Sequence, residues 1–570
     1  MRIPLEAVNQ NRWLYPREGA WLKPTCWGDR VDLQQVDRCS LEIWRKSDRP
    51  VRWFMTSLKA SSEEPARLSE PLLPNGPLVD SLGQNTLQTW SSKSNSTEEV
   101  STRLHTQLAD APAQSWPADF SAWGGWLDRQ LPASGFFRIE KDAQRWWLVD
   151  PLGHPFWSAG VDCVAPDTAA NILGLETALA WKPDPEGPYQ AVYEGKRPAT
   201  INFLKANLVR AFGPEDWYAR WATITLAELR RIGFNTLGNW SDWKIARQAG
   251  LPYVRSLDAD FSAVGLVYRD FPDVFAPAFQ TACDQFALQL QATAQDPALI
   301  GYFLMNEPTW GFAQLTPAEG MLLNAPACHS LAALSAWLRE RYLDDAQLSA
   351  AWGINTTFAA VAHGSWTAVL TEQARTDLAE FSSVMVERFF GGLSAACRGV
   401  DPNHLNLGIR YYTVPPEWAL ESMRRFDVFS MNCYRQRLPE DEMGRISALL
   451  DMPIMIGEWH FGALDAGLPA SGIGHVPNQA GRGSAYRYYL ENAAAQPWCV
   501  GVHYFILYDQ SALGRFDGEN YNIGFLDVCN RPYEALCQAA RTSHERLYSL
   551  VSGQTAPFAD PPEYLPMLFL

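Results

Sequence analysis

Residues 299–312 read LIGYFLMNEPTWGF, an apolar run that stops at a polar pair, Asn306 and Glu307. A strand buried in a parallel sheet has a nearly continuous apolar sequence, because both of its faces are covered. A second run of this kind, IMIGEWHFGAL (454–464), is interrupted by Glu458. We interpret both stretches as buried strands that each carry a carboxylate at the carboxyl end.

Eight apolar runs of strand length follow one another from about residue 156, and longer helical patterns lie between them. The expected strands are FWSAGVD (156–162), FNTLGN (234–239), PYVRSL (252–257), LIGYFLMN (299–306), LNLGIRY (405–411), DVFSMNCY (427–434), PIMIGEW (453–459) and CVGVHYFI (499–506). Strands that alternate with helices indicate repeated β/α units, and eight such units close a TIM barrel. The predicted fold class is therefore α/β, a (β/α)8 barrel whose strands all end on one face.

The first 120 residues differ in pattern from the rest of the chain. CSLEIWRKS (39–47) and PVRWFMTSLKA (50–60) resemble strands, and STEEVSTRLHTQL (96–108) alternates polar and apolar residues. We interpret this part as a small β-sandwich that precedes the barrel. The resulting domain prediction is 1–120 for the β-rich domain, 121–550 for the barrel and 551–570 for a C-terminal tail.

Two further segments belong to the predicted barrel domain. FFRIEKDAQRWWLVDPLGHPF (136–156) predicts a hairpin at its entrance, with DPLG as the turn signal. Residues 308–404 contain helical patterns at 330–343 and 376–399, and they predict an insertion between the fourth and fifth strands. An insertion of this size is within the range of the fold.

The composition is that of a folded protein with an acidic surface. Of the 570 residues 19% are charged and 47% hydrophobic, and the net charge is −16. A negative charge disfavours nucleic acid and anionic membrane as partners, since binding to phosphates requires a basic face. Residues 1–19 lack the apolar core of a signal peptide, and no run of about 18 apolar residues occurs. We expect a cytoplasmic protein, or a secreted or periplasmic one if a leader has been removed; the oligomeric state is left open.

No cofactor or metal is expected from the motifs. The ten cysteines lack the close pairs of a metal ribbon, and no disulfide framework is implied. Neither GxxxxGK[ST] nor a strand-linked GxGxxG occurs, so nucleotide cofactors find no support. His460 and His503 could be metal ligands, but no HExxH or HxH accompanies them. Contacts to sugar hydroxyls, or a satisfied position in the core, are the favoured interpretations of these two histidines.

The two carboxylates together indicate glycoside hydrolysis. Either one alone could be a buried, ion-paired residue, but a pair at the ends of two barrel strands, flanked by aromatic residues, favours chemistry. In that reaction one carboxyl group protonates the leaving oxygen, and the other attacks the anomeric carbon or activates water. Trp310 would desolvate the acid Glu307, and Tyr434 would donate a hydrogen bond to Glu458. Asn306 is placed to hold the 2-hydroxyl of the sugar.

Other candidate substrate contacts follow the remaining strands. The loop RFDGENYNIGF (515–525) comes after the eighth strand, where it is either a solvated turn or a substrate contact. The 24 tryptophans suit the apolar faces of sugar rings, although tryptophan also fills large cores. The further candidates are Asp162, Asn239, Trp240, Arg410, His503, Tyr504, Asp517, Glu519 and Asn520.

The pairing of NEP after the fourth strand with a glutamate after the seventh resembles the clan of retaining glycosidases on (β/α)8 barrels. Within that clan the chain resembles glycoside hydrolase family 50, the β-agarases, over roughly residues 135–540. Three segments carry this resemblance: FFRIEKDAQRWWLVDPLGHPFWSAGVDCV (136–164), IGEWHFGAL (456–464) and GRFDGENYNIGFLDVCNRPY (514–533).

The resemblance implies a role for each matching residue. Glu307 matches the acid/base and Glu458 the nucleophile, with Asn306, Tyr434 and His460 as neighbours. It also implies a carbohydrate-binding-like N-terminal domain and, as substrate, a β-linked, galactose-containing oligo- or polysaccharide of the agarose type. Retention requires the two carboxyl groups to lie about 5–5.5 Å apart, whereas inversion requires a wider separation.

Two departures from the family pattern keep alternatives open. The chain has NEP where NEL is expected in many agarases, and Tyr504 follows His503 where a tryptophan is expected. Both positions are near the expected sugar subsites, so a β-galactosidase-like or β-glucosidase-like activity on another β-glycan is the alternative. A non-catalytic carbohydrate-binding protein is a third possibility, which the retained pair of carboxylates disfavours. The sequence does not distinguish exo from endo action.

Overall fold

The computed structural model of the protein describes residues 74–172, 175–193 and 200–565. It also describes residue 59 and two short paired strands, Tyr15–Arg17 and Ala20–Leu22. CSLEIWRKS and nearly all of PVRWFMTSLKA lie outside the described residues. Most of the predicted N-terminal β-sandwich lies outside them as well.

Eight strands form one curled parallel sheet. They are β1 (Ser158–Val161), β2 (Thr236–Leu237), β3 (Tyr253–Ser256), β4 (Leu299–Phe303), β5 (Leu405–Asn406), β6 (Phe429–Asn432), β7 (Ile454–Glu458) and β8 (Cys499–Tyr504). Hydrogen-bonded neighbours run in the order β5, β4, β3, β2, β1, β8, β7, β6. At the two edges the Val428 N–H donates to the Asn406 carbonyl at 3.2 Å, and Tyr411 bridges Met431 in parallel. All eight predicted strands are confirmed, in the arrangement of a TIM-like barrel.

The ends of β4 and β5 are held side by side. Met305–Asn306 and Ile409–Arg410 continue these strands and pair in parallel, with Asn306 opposite Arg410. The Glu307 N–H then donates to the Arg410 carbonyl at 3.0 Å. The polar residues near the ends of the fourth and fifth predicted strands, Asn306 and Arg410, therefore lie next to each other.

Helices surround the sheet and fill the insertion. The helix Phe203–Ile232 ends at Gly233, whose φ of +98° is in the left-handed region that favours glycine. The predicted insertion helices are confirmed as His329–Arg341 and Glu372–Val400. The remaining α-helices of the described residues are Thr97–Asp110, Trp243–Ala249, Ala278–Ala287, Pro317–Asn324, Asp345–Trp352, Phe358–His363, Glu417–Leu420, Glu440–Leu450, Gln479–Ala495, Glu534–His544 and Leu547–Val551. No helix in this described part is long and apolar enough to cross a membrane.

The predicted entrance hairpin is confirmed and packs into the barrel. Its strands are Arg138–Lys141, Trp146–Val149 and Pro155–Phe156, and the Gly153 N–H donates to the Asp150 carbonyl (2.9 Å) in the DPLG turn. One buried cluster joins this sheet to residues near the start of several barrel strands: Phe137, Leu148, Phe156, Val254, Ile300, Met455 and Val500. The hairpin therefore closes the amino end of the barrel, opposite the strand ends that carry the polar residues.

The β interpretation of residues 96–108 is wrong, because this segment lies in the helix Thr97–Asp110. The Ser96 side chain accepts a hydrogen bond from the Glu99 N–H at 3.2 Å, which is the geometry of an N-cap. Val100 and Leu104 are four residues apart and therefore face the same side, where both are buried with the barrel helices. The apolar spacing was helical, and the segment packs on the barrel.

Candidate active site

A cavity of about 550 Å³ opens at the carboxyl end of the barrel strands. Glu307 after β4 and Glu458 at the end of β7 both line it, as the strand pattern predicts. The other predicted site residues in its lining are Trp240, Asn306, Tyr434, His460 and Glu519. The fold thus brings together two carboxylates that are far apart in sequence.

Glu458 faces one hydrogen-bond donor and one cation. The Tyr434 hydroxyl donates to Oε2, as predicted, and the Arg410 Nη2 lies 3.1 Å from Oε1. The residue is 5% exposed, so solvent screens these contacts little. A hydrogen-bond donor and a positive charge both match the needs of an ionised carboxylate.

Three neighbouring groups fix the position of Arg410: a carboxylate, a backbone carbonyl and an aromatic ring. Its fully buried guanidinium donates to Asp162 at 2.7 Å and to the carbonyl of Gly457, and it lies 4.6 Å from the centre of the Trp240 ring. A Cβ at position 457 would lie 2.4 Å from the Arg410 Nε, so the residue before Glu458 must be glycine. The glycine in IMIGEW therefore leaves room for the arginine that orients the carboxylate.

Beneath Arg410, polar side chains fill the upper part of the barrel interior. Asp162 accepts a hydrogen bond from the Asn239 N–H at 2.8 Å. Burial raises the pKa of Asp162 to about 7, although the charge of Arg410 opposes the shift. The His503 Nε2 lies 2.9 Å from the Ser158 Oγ, and burial lowers the pKa of this histidine to about 3. This layer supports the site and does not line the cavity.

Glu307 has a different environment from Glu458. The Asn432 amide donates to its Oε1 at 2.7 Å, and no cation pairs with it in the described structure. Burial, followed by the negative charge of Glu458, raises the pKa of Glu307 to about 8. Its φ of +42° is in the left-handed region, which is uncommon for a side-chain-bearing residue and occurs preferentially at functional sites.

His460 lines the cavity as a neutral ring. Its Nε2 accepts the Ile473 N–H at 2.9 Å, and the ring packs edge-on against Tyr434 with centroids 4.7 Å apart. Burial and then the charge of Arg482 lower its pKa to about 3. Within the described residues no group of three His, Cys, Asp or Glu side chains is arranged to hold a metal ion.

Glu519 reaches the cavity from the loop after β8. Its carboxylate pairs with Arg515 at 2.7 Å and accepts a hydrogen bond from the Gln510 amide at 2.6 Å. Burial raises the pKa of Glu519. This loop therefore folds over the cavity as a charged, hydrogen-bonded wall.

Seven predicted contacts do not line this cavity. Tyr504 is buried and donates to the Phe461 carbonyl at 3.0 Å, and Asp517 pairs with Arg515 at 2.8 Å. The expected direct sugar contact is therefore corrected for these positions, since they lie in the core, in the supporting layer or behind the loop. The seven residues are Asn239, Trp310, Arg410, His503, Tyr504, Asp517 and Asn520.

Several residues at the site were missed by the sequence interpretation. Tyr412 comes directly after the predicted fifth strand, and Phe505 lies at the end of the predicted eighth. Arg515, Phe516 and Tyr521 belong to the loop RFDGENYNIGF. Tyr412 and Phe505 follow the same rule of position that identified the carboxylates, whereas the three loop residues lie beyond the end of β8 in a segment already identified as a candidate contact.

The sequence of this chain is similar to those of two curated proteins. No family model matches the chain. The chain is 30% identical over 521 residues to β-agarase B of Vibrio sp. (strain JT0107). The aligned region covers 83% of this chain and 55% of that protein. β-Agarase A of the same strain is 29% identical over 536 residues, and this alignment covers 83% of this chain and 52% of β-agarase A. The chain therefore spans about half the length of the curated relatives it matches.

Solved structures give the same result over a larger share of their length. A solved exo-β-agarase superposes with a TM-score of 0.77 at 28% identity, over 84% of this chain and 73% of that chain. PfGH50B superposes with a TM-score of 0.75 at 27% identity, over 83% of this chain and 74% of PfGH50B. The chain is similar to β-agarases in both sequence and fold. This similarity confirms the resemblance to glycoside hydrolase family 50 carried by the three segments around residues 136–164, 456–464 and 514–533.

Proposed function

We propose that this chain is a retaining glycoside hydrolase that cleaves β-linked, galactose-containing oligo- or polysaccharides of the agarose type. One observation carries the reaction class: Glu307 and Glu458 share a cavity but differ in their neighbours. The names of the relatives, two β-agarases and an exo-β-agarase, support the substrate class.

In the first step a Glu458 oxygen attacks the anomeric carbon, and the bond from that carbon to the glycosidic oxygen breaks. The proton of Glu307 passes to the departing oxygen, and a covalent glycosyl-enzyme forms. In the second step Glu307 takes a proton from water, whose oxygen attacks the anomeric carbon and releases Glu458. One water is consumed, and the configuration at the anomeric carbon is retained.

The electrostatics of the pair supply both roles of Glu307. With a pKa of about 8 this residue is protonated at neutral pH, as a general acid must be. The charge of Glu458 contributes to that raised pKa, second only to burial. When Glu458 becomes an ester it loses its charge, so the pKa of Glu307 falls and its carboxylate becomes a base for the second step.

The cavity wall offers the groups that a sugar ring requires. Asn306 lies beside the acid and would bind the 2-hydroxyl. Trp240 is 42% exposed and Phe516 is 65% exposed, so both present aromatic faces that can pack on the apolar face of a sugar. Glu519 and Gln510 would accept and donate hydrogen bonds to hydroxyl groups on the opposite side.

The catalytic assignment is tested with Glu458→Ala on an aryl β-galactoside. Turnover should fall by about 10⁴-fold or more, because the first step loses its nucleophile. Azide should restore part of the turnover and give the inverted, α-configured glycosyl azide, whereas Glu307→Ala with azide should give the β-configured product. Glu421→Ala changes an exposed glutamate outside the cavity and serves as the control. Full activity of Glu458→Ala would overturn the assignment.

The substrate class is tested by product analysis. The enzyme is incubated with neutral oligosaccharides of agarose and with other β-linked oligosaccharides, and products are identified by mass. Release from the agarose series supports the proposal. If products are released only from β-glucans or other galactans, those glycans and not agarose are the substrate.

A further inference from the structure

One guanidinium nitrogen of Arg410 lies between two carboxylates. Its Nη2 donates to the Oδ2 of Asp162 at 2.7 Å and to the Gly457 carbonyl, and it lies 3.1 Å from the Oε1 of Glu458. A terminal guanidinium nitrogen carries two hydrogens, and these two acceptors use both of them. The Nε and Nη1 of Arg410 donate to no described residue. Glu458 therefore receives the positive charge of Arg410 without a hydrogen bond from it.

We propose that Asp162 is a positioning residue for the nucleophile: it holds Arg410 so that Glu458 has a cation beside it but accepts no hydrogen bond from the guanidinium. The proposal rests on the hydrolase function above. A carboxylate attacks the anomeric carbon through an oxygen lone pair. A charge-assisted hydrogen bond from arginine is among the strong ones, and it would weaken that attack. Asp162 accepts the hydrogen that would otherwise be donated to Glu458.

Two strand ends leave room for the pair of Asp162 and Arg410. The Oδ1 of Asp162 accepts the Asn239 N–H at 2.8 Å. A Cβ at position 238 would lie 2.0 Å from this oxygen, so the residue that follows β2 must be Gly238. Gly457 in β7 makes room for the Arg410 guanidinium in the same way. The two glycines therefore admit the two members of one ion pair.

The charges around Arg410 explain what Asp162 changes. Asp162 and Arg410 are fully buried, and Glu458 is 5% exposed. The His503 Nδ1 lies 3.9 Å from the Oδ1 of Asp162, but this ring is neutral because burial lowers its pKa to about 3. With Asp162 in place, two carboxylates share the positive charge of Arg410. Without it, Arg410 and Glu458 would form a one-to-one ion pair with a direct hydrogen bond.

The carboxylate of Asp162 must be ionised to hold the arginine in this way. Both of its oxygens accept hydrogen bonds, which is the pattern of the ionised form. Burial raises the pKa of Asp162 to about 7, although the charge of Arg410 opposes the shift. At about pH 8 the group is therefore mostly ionised, and the tests below are made at that pH.

Asp162→Asn tests the role of the carboxylate. The amide keeps the shape of the side chain, but its single oxygen satisfies either the Asn239 N–H or the Arg410 guanidinium and not both. Asp401→Asn is the matched control. Asp401 is also fully buried and lies 2.8 Å from a possible cation, His404, but it precedes β5 and does not line the cavity.

The two chemical steps are measured separately with the 2-deoxy-2-fluoro derivative of β-galactosyl fluoride, which forms a long-lived glycosyl-enzyme. The rate of inactivation reports the attack by Glu458, and the rate of reactivation reports its departure. Asp162→Asn should slow inactivation about tenfold or more, because Arg410 then donates to the nucleophile. It should leave reactivation within about twofold or accelerate it, because the same hydrogen bond stabilises the departing carboxylate. Asp401→Asn should change neither rate.

Unchanged inactivation in Asp162→Asn, or an equal loss in both steps, would overturn the proposal, since a general distortion of the site slows both. If this variant does not fold, the double variant Asp162→Asn, Arg410→Met replaces both buried charges with neutral side chains. No guanidinium is then left to bind Glu458, so the ratio of the inactivation rate to the reactivation rate should equal or exceed that of the wild type. A ratio about tenfold below it would overturn the proposal. A wild type that forms no glycosyl-enzyme and cleaves no agarose-derived oligosaccharide would instead refute the proposed function.

Discussion

Glu307 and Glu458 end two strands of the same barrel, yet different side chains surround them. Glu458 faces the guanidinium of Arg410 and the hydroxyl of Tyr434, whereas Glu307 accepts a hydrogen bond from the amide of Asn432 and has no ion-pair partner among the described residues. Burial and the charge of Glu458 raise the pKa of Glu307 to about 8, although the charge of Arg410 opposes the shift. The comparison teaches that equivalent positions in the fold acquire different roles from the neighbours that other strands supply.

Glu307→Gln tests the acid side of the comparison and should have the largest effect. The kcat/KM on oligosaccharide should fall by about 10²- to 10⁴-fold, while β-galactosyl fluoride, which requires no acid, should be affected far less. In the wild type kcat/KM on oligosaccharide should decrease as the pH rises through about 8, because Glu307 loses its proton there. The measurement is the pH profile of both enzymes; a decrease near pH 8 that persists in Glu307→Gln would assign the titration to another group.

Tyr434→Phe tests the nucleophile side. It removes the hydroxyl that donates to Glu458. A hydrogen bond to a charged group contributes about 1.5–3 kcal/mol, so kcat/KM should fall by roughly 10- to 150-fold. Tyr218→Phe removes a hydroxyl outside the cavity and should leave kcat/KM unchanged. Equal kinetics of the two variants would mean that the Tyr434 contact does not serve the reaction.

Asn432→Ala sharpens the comparison by shifting Glu307 further. The Asn432 amide donates to the carboxyl of Glu307, and this hydrogen bond lowers its pKa. Without it the pKa should rise, so the alkaline decrease of kcat/KM should move to higher pH by about half to one unit. A shift toward lower pH would show that Asn432 stabilises the neutral acid instead.

Glu519→Gln should produce the smallest effect, with the opposite sign. The charge of Glu519 contributes to the raised pKa of Glu307, so its removal should move the alkaline decrease to lower pH by less than about half a unit. Asp517→Asn is the matched control, because Asp517 pairs with the same Arg515 but does not line the cavity. An equal shift in both variants would point to Arg515 as the common cause.

The strand pattern predicted the barrel, the position of both carboxylates and the Tyr434 contact. It placed Tyr504 in the site, but β8 runs through Tyr504 and the cavity is lined by Phe505. A difference of one residue along a strand moves a side chain from one face to the other, and the apolar run by itself does not mark that boundary. The helix Thr97–Asp110 was misread because its buried residues, four apart, also fit an alternating pattern.

The sequence by itself determined that two glutamates follow buried strands, since an apolar run ending in a charge requires no tertiary information to recognise. The tertiary structure decided what each glutamate can do. Arg410 meets Asp162 across 248 residues and lies beside Glu458, and Asn432 donates to Glu307 across 125 residues. A carboxyl group titrates according to its burial and the charges around it, and residues from remote parts of the chain supply both.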